Sequence, residues 1–326
     1  MIALALFGAA AIVAWFIWQR FRDPKSQWMG RAAAFILLAP LVAAGVALGS
    51  YSLLRDTGVP PEPASYTIAS GVRYERRVAS HPKPLVWHVV KVELGTHGVG
   101  LSVTTGDASK LLPFEAKTPT AVANELHADV VLSGDFFEPR GALNPLQEPI
   151  VPGASLRTKG MAVSHGTILV PGKDPSPNTL YISEGNIVSI GAPSGNVFNA
   201  ISGDCVFVKE GKAQAFTECA VPNENQPRVA VGVDRGARVL TFVLVEGYRA
   251  GRSAGVTMND LARILIDEGA HTALQLGGGP HVGLAGRGPD GVIKLLNEPF
   301  NGGVPGIEPA VANHLVVTSS DRLATP

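Results

Sequence analysis

RVAVGVDRGARVLTFVLVEGYRAGRSAGVTMNDLARILIDEGA, residues 228–270, decides the fold. Its first run, RVAVGVD (228–234), and its second, RVLTFVLVEG (238–247), are rich in β-branched residues and stop at Asp or Gly, as strands do. The third run, VTMNDLARILIDEGA (256–270), changes period. Thr257 can cap a helix, and Asp260 follows three residues later in the capping-box position. Leu261, Ile264, Leu265 and Glu268 mark faces, and Gly269 supplies a C-terminal stop.

Outward from this core the same strand pattern recurs. It is visible in LVWHVVKVEL (85–94), GLSVTT (100–105), ADVVLSGDFF (128–137), GMAVSHGTILV (160–170), TLYISEGNIVSIG (179–191) and CVFVKEGKAQAF (205–216). TPTAVANELHA (118–128) adds a second helix with a Thr cap. Many strands with two or three helices predict an α+β domain, a β-rich mixed sheet. His88 and His165 fall on strand patterns and read as packing or edge residues, and their spacing offers no metal triad.

The composition is apolar and turn-rich: 46% hydrophobic, 17% charged, with 37 Gly and 25 Pro. That pairing suggests an embedded segment attached to a sheet domain with many loops. Lys+Arg and Asp+Glu balance at 27 each, so no basic surface argues for nucleic acid as a partner. No phosphate-loop or dinucleotide fingerprint occurs; Gly277-Gly278-Gly279 alone is a weak signal. No cofactor is called for, and a divalent cation stays open.

The N-terminal region carries the embedded candidate. Residues 2–18 and 32–54 are uncharged apolar runs around the basic link RFRDPKSQWMGR (20–31). About 17–25 residues span a hydrocarbon core, and only helices satisfy their backbone there, so residues 1–54 predict a transmembrane helical hairpin. Arg20, Arg22, Lys25 and Arg31 against Asp23 keep the link inside and put both ends outside. A cleaved signal peptide is the competing reading, and it exports the rest of the chain equally. The remainder divides into a Pro-rich linker (55–70), a domain over 71–317 and a tail (318–326). The expected location is membrane-anchored and extracytoplasmic, periplasmic or cell-surface. In that oxidising compartment Cys205 and Cys219, on two strands joined by a turn, predict a disulfide; two buried thiols are the other reading.

From about residue 71 to 317 the order of segments resembles the phosphodiester glycosidase family. GVRYERR (71–77) and PLVWHVVKVEL (84–94) resemble its opening strands, and LSGDFF (132–137) stands where the family has Asn-Gly-Gly-Phe-Phe. ISGDCVFVKEGKA (201–213), RVAVGVD, VLVEGYR (243–249) and SAGVTMNDLARILIDEGA (253–270) follow in order. ALQLGGGPHVGL (273–284) takes the place of a Leu-Asp-Gly-Gly-Gly-Ser-Ser segment, and EPAVANHLVV (308–317) resembles the closing strand. Several polar positions differ. Gly277 replaces an Asp, Pro280 a Gly, His281 and Val282 two Ser, Ser133 an Asn, Asp135 a Gly, and Pro309 an Arg.

The resemblance implies cleavage of a sugar-1-phosphodiester, and the expected anchor points to one in an envelope polysaccharide, a teichoic-acid-like polymer or a lipid-linked glycan. Such chemistry needs a carboxylate beside an oxocarbenium-like centre, an activated water and a grip on phosphate. The implied catalytic candidates are Glu246, Asp135 and His281. The implied substrate-binding candidates are Arg228, Arg249, Ser133, Gly134, Gly277, Gly278 and Gly279, with forked Arg suited to phosphate. Each also has a plain reading: Asp135 and Asp204 as turn caps, the two Arg as structural ion pairs, and His281 as a loop residue. The alternative function is a glycan-binding or envelope-assembly domain that keeps the fold without turnover.

Overall fold

The computed structural model describes residues 15, 19, 36, 39, 40, 42–50, 53, 58–138, 149–172, 176–216 and 219–320. The chain forms two compact units, 1–57 and 58–326. In the first, residues 42–50 are helical. The hairpin expected over 2–18 and 32–54 lies mostly outside the described residues. Among those that are described, no helix is long and apolar enough to cross a membrane.

The second unit is built on a central eight-stranded sheet. Its order is Ala64–Ala69, Val72–Ala79, Leu85–Glu93, Val239–Val245, Arg228–Val233, Thr272–Gly278, Cys205–Lys209 and Lys212–Ala213. A five-stranded sheet runs Ile293–Leu295, Leu284–Arg287, Val130–Ser133, His314–Ser319 and Val99–Val103. Another five-stranded sheet runs Thr167–Val170, Ala162–Ser164, Asn199–Ser202, Thr179–Ile182 and Val188–Ile190. Every strand pairing in these three sheets is antiparallel.

The main core lies where one face of each sheet meets the others. Val90, Val231, Phe242 and Leu274 come from the central sheet, Leu132, Leu284 and Leu315 from the second, and Leu180 and Ile201 from the third. The other face of the central sheet is covered by the helix Met258–Asp267. That helix starts where its sequence says it should, since Thr257 and Asp260 form a reciprocal capping box. It buries Met258, Leu261, Ala262 and Leu265, each Leu or Met contributing roughly 1.5–3 kcal/mol. A second helix, Pro119–Glu125, is capped by Thr118 and packs on the outer face of the second sheet.

One boundary needs correction. The stretch 55–70, read as a linker, contains the strand Ala64–Ala69, which pairs with Val72–Ala79 and extends the central sheet. Pro60, Pro61 and Pro63 disguise it, because the alternating Tyr66 and Ile68 follow directly on a proline cluster. At the other end Thr318 and Ser319 belong to the closing strand rather than to a tail.

Candidate active site

The second sheet and the central sheet are joined at a contact between two glycines. The loop after Val130–Ser133 brings the Gly134 carbonyl to the Gly277 N–H at 2.8 Å. A Cβ on Gly277 would lie 2.8 Å from that same carbonyl, and one on Gly134 would strike the Asn313 side chain. Glycine is required at both for the backbones to touch. Gly277 and Gly278 are strand residues, and the chain turns at Gly279–His281, where Gly279 takes φ +66°. Ser133 stays close: its hydroxyl accepts the Gly283 N–H at 3.0 Å.

Asp135 follows Gly134 and is buried. Its carboxylate accepts the N–H of Phe136 at 2.7 Å and of Gly160 at 2.9 Å, and its own N–H donates to Asn313 Oδ1 at 2.9 Å. Burial pushes its pKa up to about 7, against the pull of those two N–H groups, and the Asp204 charge adds to the rise. Asp204 in turn accepts the N–H groups of Ala220 and Val221 at 3.0 Å each. The disulfide Cys205–Cys219 joins the neighbouring residues of this same pair of segments. Both sulfurs of the Asp204–Cys205–Cys219 cluster are therefore committed, and it offers no thiolate to a metal.

His281 ends the Gly279–His281 turn. Its ring meets Phe137 edge-on, with centroids 5.2 Å apart, and both ring nitrogens are buried without a hydrogen-bond partner. Burial holds its pKa down to about 4, so it is neutral at physiological pH. Ser133, Gly134, Asp135, Gly277, Gly278, Gly279 and His281 thus come together around the glycine contact.

Glu246 does not join them. It sits on the main-core face, where the Oε1 atom accepts His88 Nε2 at 3.0 Å and the Glu298 N–H at 2.9 Å, and Oε2 accepts Arg252 Nε at 2.7 Å. Tyr74 extends the chain through a 2.9 Å contact between its hydroxyl and His88 Nδ1. Burial opposes ionisation of Glu246, but the hydrogen bonds and charges of His88 and Arg252 outweigh it and hold the carboxyl at about 2. Arg249 lies in this network too, bonded to Glu298, and Arg252 also reaches Glu298 at 3.2 Å. Ser253 fixes the loop, its hydroxyl donating to the Glu246 carbonyl at 2.7 Å.

Arg228 is apart from both groups. It is wholly buried on the helix-covered face, and its five N–H donors are all used within the protein. Nε donates to the Val256 carbonyl, Nη1 to Met258 Sδ and Gln275 Oε1, and Nη2 to the Pro222 and Glu224 carbonyls. Burial draws its pKa down to about 10, which leaves it charged. No donor remains for a phosphate, so the expected ligand contact is instead a structural anchor. His88, Arg252 and Glu298 were not expected as partners of Glu246. His88 sits in a strand pattern that hides its role, and nothing in the sequence spacing pairs it with a residue 158 positions away.

The family model for phosphodiester glycosidases matches residues 127–318, more than half of the chain and the whole glycine contact. The chain belongs to the phosphodiester glycosidase family. Solved structures also share its fold. The zebrafish N-acetylglucosamine-1-phosphodiester alpha-N-acetylglucosaminidase catalytic domain, auto-inhibited by its pro-peptide, aligns with a TM-score of 0.57 at 14% identity, over 79% of this chain and 88% of that one. A hypothetical protein from Synechocystis aligns with a TM-score of 0.52 at 14% identity, over 79% of this chain and 64% of that one. At such identity the likeness speaks for fold alone. Among curated proteins, none matches the chain.

Proposed function

We propose that the domain is a hydrolase that releases a sugar from a sugar-1-phosphodiester, with Asp135 as the base. The observation that carries this reading is a buried carboxyl, held at about 7, on the loop that meets the triple glycine. A base is most effective when its pKa lies near working pH, and sites of chemistry are where burial arranges this. In the step, ionised Asp135 takes a proton from water as its oxygen attacks the anomeric carbon. The bond from that carbon to the phosphate oxygen breaks, and its electron pair leaves with the phosphate monoester. That leaving group is a weak base and needs little help from an acid. Glu246 contributes by fixing the loop through Arg252 and Glu298.

The substrate would be an envelope glycan or phosphoglycan outside the cytoplasm. The Cys205–Cys219 bond favours an oxidising compartment, and an anchor over residues 2–18 and 32–54 would hold the domain against surface glycans. A second reading, glycan binding without turnover, is favoured by two specific facts. Gly277 carries no carboxylate and Arg228 has no donor to spare. Hydrolysis of a panel of alkyl- and aryl-phospho-N-acetylglucosamine compounds decides between them. The hydrolase reading expects turnover in the native protein and its loss in Asp135→Asn; binding with no product in the native protein would leave the second reading.

A further inference from the structure

The loop after the strand Val99–Val103 and the helix Pro119–Glu125 border a cavity of about 250 Å³ that the glycine contact does not use. His314 forms part of its wall and shares the outer face of the second sheet with Val316, which packs under the helix. Asn313, one residue earlier, turns the other way and reaches the Asp135 N–H. The cavity therefore lies across the sheet from Asp135. Its loop is held by its own bonds. The Asp107 N–H donates to the Pro113 carbonyl at 2.8 Å, and a Cβ on Gly106 would stand 2.6 Å from that same oxygen. The Asp107 carboxylate accepts the Ser109 N–H and hydroxyl at 3.0 and 2.6 Å, and Arg157 donates to the Leu111 carbonyl at 3.1 Å.

Leu112, Phe114, Val122 and Leu126 give the cavity an apolar floor, and charges of both signs stand at its rim. Lys117 pairs with Glu125 at 2.6 Å and Lys110 with Asp107 at 3.4 Å, while Glu115 enters neither pair. Such pairs, open to water, contribute little, so a ligand's charge can replace either partner. His314 adds an unsatisfied group. It is 1% exposed, and neither ring nitrogen has a hydrogen-bond partner, the Lys117 carbonyl lying near without completing one. Folded proteins keep such groups few, because each costs stability. Burial draws its pKa down to about 3, so the ring is neutral.

We propose that this cavity binds a free amino acid with an apolar side chain, its carboxylate on Lys117, its ammonium on Glu115 and its side chain on the floor beside Phe114 and Leu126. Simpler ligands answer only part of the lining. A phosphate would meet the carboxylates of Asp107, Glu115 and Glu125, a metal ion would meet two ammonium groups, and a hydrocarbon would leave the rim charges unused. A zwitterion with an apolar side chain matches both signs and the floor, and a neutral imidazole, with one donor and one acceptor, can serve either charged end. The small volume suits a single amino acid rather than a stretch of polymer. The inference goes beyond the hydrolase reading and does not rest on it, since no residue of the cavity takes part in that chemistry.

The test is calorimetry on the full chain with L-leucine, L-leucinamide and 4-methylpentanoate. The three share one side chain and carry, at about pH 6, both charges, the ammonium alone and the carboxylate alone. L-leucine should bind, each analogue should bind about tenfold more weakly or worse, and added salt should weaken the binding. Lys117→Met keeps the aliphatic stem and should bring L-leucine down to the level of L-leucinamide, leaving L-leucinamide itself unchanged. Glu115→Gln should bring L-leucine down to the level of 4-methylpentanoate. Both side chains reach solvent, so both variants should melt as the native protein does. Binding of none of the three at up to about 10 mM would overturn the proposal. So would 4-methylpentanoate binding as tightly as L-leucine, or either variant binding L-leucine as well as the native protein. A chain that binds L-leucine and hydrolyses no phosphodiester would sink the hydrolase reading alone; turnover without L-leucine binding would sink this one alone.

Discussion

Arg228, which opens one strand, and Glu246, directly after the end of its neighbour Val239–Val245, point to opposite sides of the sheet. Arg228 pairs directly with Val245, whose side chain packs under the helix Met258–Asp267, so the guanidinium shares that face. Glu246 is one residue further on, and a strand turns its side chain over at every step. It accordingly meets His88, which pairs with Leu244 on the main-core face. Two residues that a family resemblance assigns to one site are separated by the thickness of a sheet.

Glu246→Gln should destabilise the protein by about 1–3 kcal/mol, since His88 and Arg252 lose a charged acceptor while Arg252 keeps Glu298. Urea unfolding at neutral pH checks this. In the native protein the stability this group contributes is present above its ordinary value of 4.5 and is lost as pH falls towards about 2. An acid titration of stability should therefore show a step that Glu246→Gln lacks.

Arg228→Lys should also cost stability, on the order of 3–5 kcal/mol, because an ammonium cannot serve five fixed acceptors and leaves buried carbonyls bare. KM for a phosphodiester should hardly change in the fraction that folds. A raised KM at unchanged stability would show that the guanidinium does reach substrate.

Asp135 titrates in the opposite sense to Glu246. Its folded-state value, about 7, lies above the ordinary 3.8, so the stability from its protonated form is complete below 3.8 and lost as pH rises through about 7. The loss amounts to at most roughly 4 kcal/mol. Activity should run the other way, with kcat/KM climbing to a plateau above about pH 7 as the base ionises. Melting temperature and rate measured over the same pH series should cross, and Asp135→Asn should flatten both curves.

Restoring the family acid by Gly277→Asp should not restore family chemistry. The added Cβ would press on the Gly134 carbonyl at 2.8 Å, and backbone cannot swing aside as a flexible side chain can. Overpacking of this kind costs about 1–3 kcal/mol, and thermal melting of the variant measures it.

Removing the disulfide with Cys205→Ser and Cys219→Ser should cost about 3 kcal/mol for a loop of 14 residues. It should also loosen the Ala220 and Val221 N–H groups from Asp204, seen as faster amide exchange there than in the strand Arg228–Val233.

Most strands and both described helices of the second unit were legible because each carries its own local signal, but Leu284–Arg287 and Ile293–Leu295 in the second sheet were not. Thr257 and Asp260 announce a helix within four residues, and the runs 228–234 and 238–247 alternate or saturate with β-branched residues. Tyr66 and Ile68 were lost among prolines. The site was legible only in part. Gly134, Asp135, Gly277 and His281 were singled out and do converge, but Asn313, whose side chain holds the Asp135 N–H, was not, because an amide inside the run AVANHLVV looks like any other interruption. Arg228 and Glu246 show the deeper limit. Which face a strand residue takes depends on a register set by pairing partners far along the chain, and a motif does not record it.

The hydrogen bond from Gly277 to Gly134 has a consequence for how this domain can change. It stitches two sheets together backbone to backbone, with no side chain acting as a spacer. Any mutation at either point that adds even a methyl group must wedge the sheets apart and so alter the floor under Asp135. With glycine at both points in this chain, further variation at the seam is confined to the residues on either side of the stitch, where it carries Asp135, Pro280 and His281.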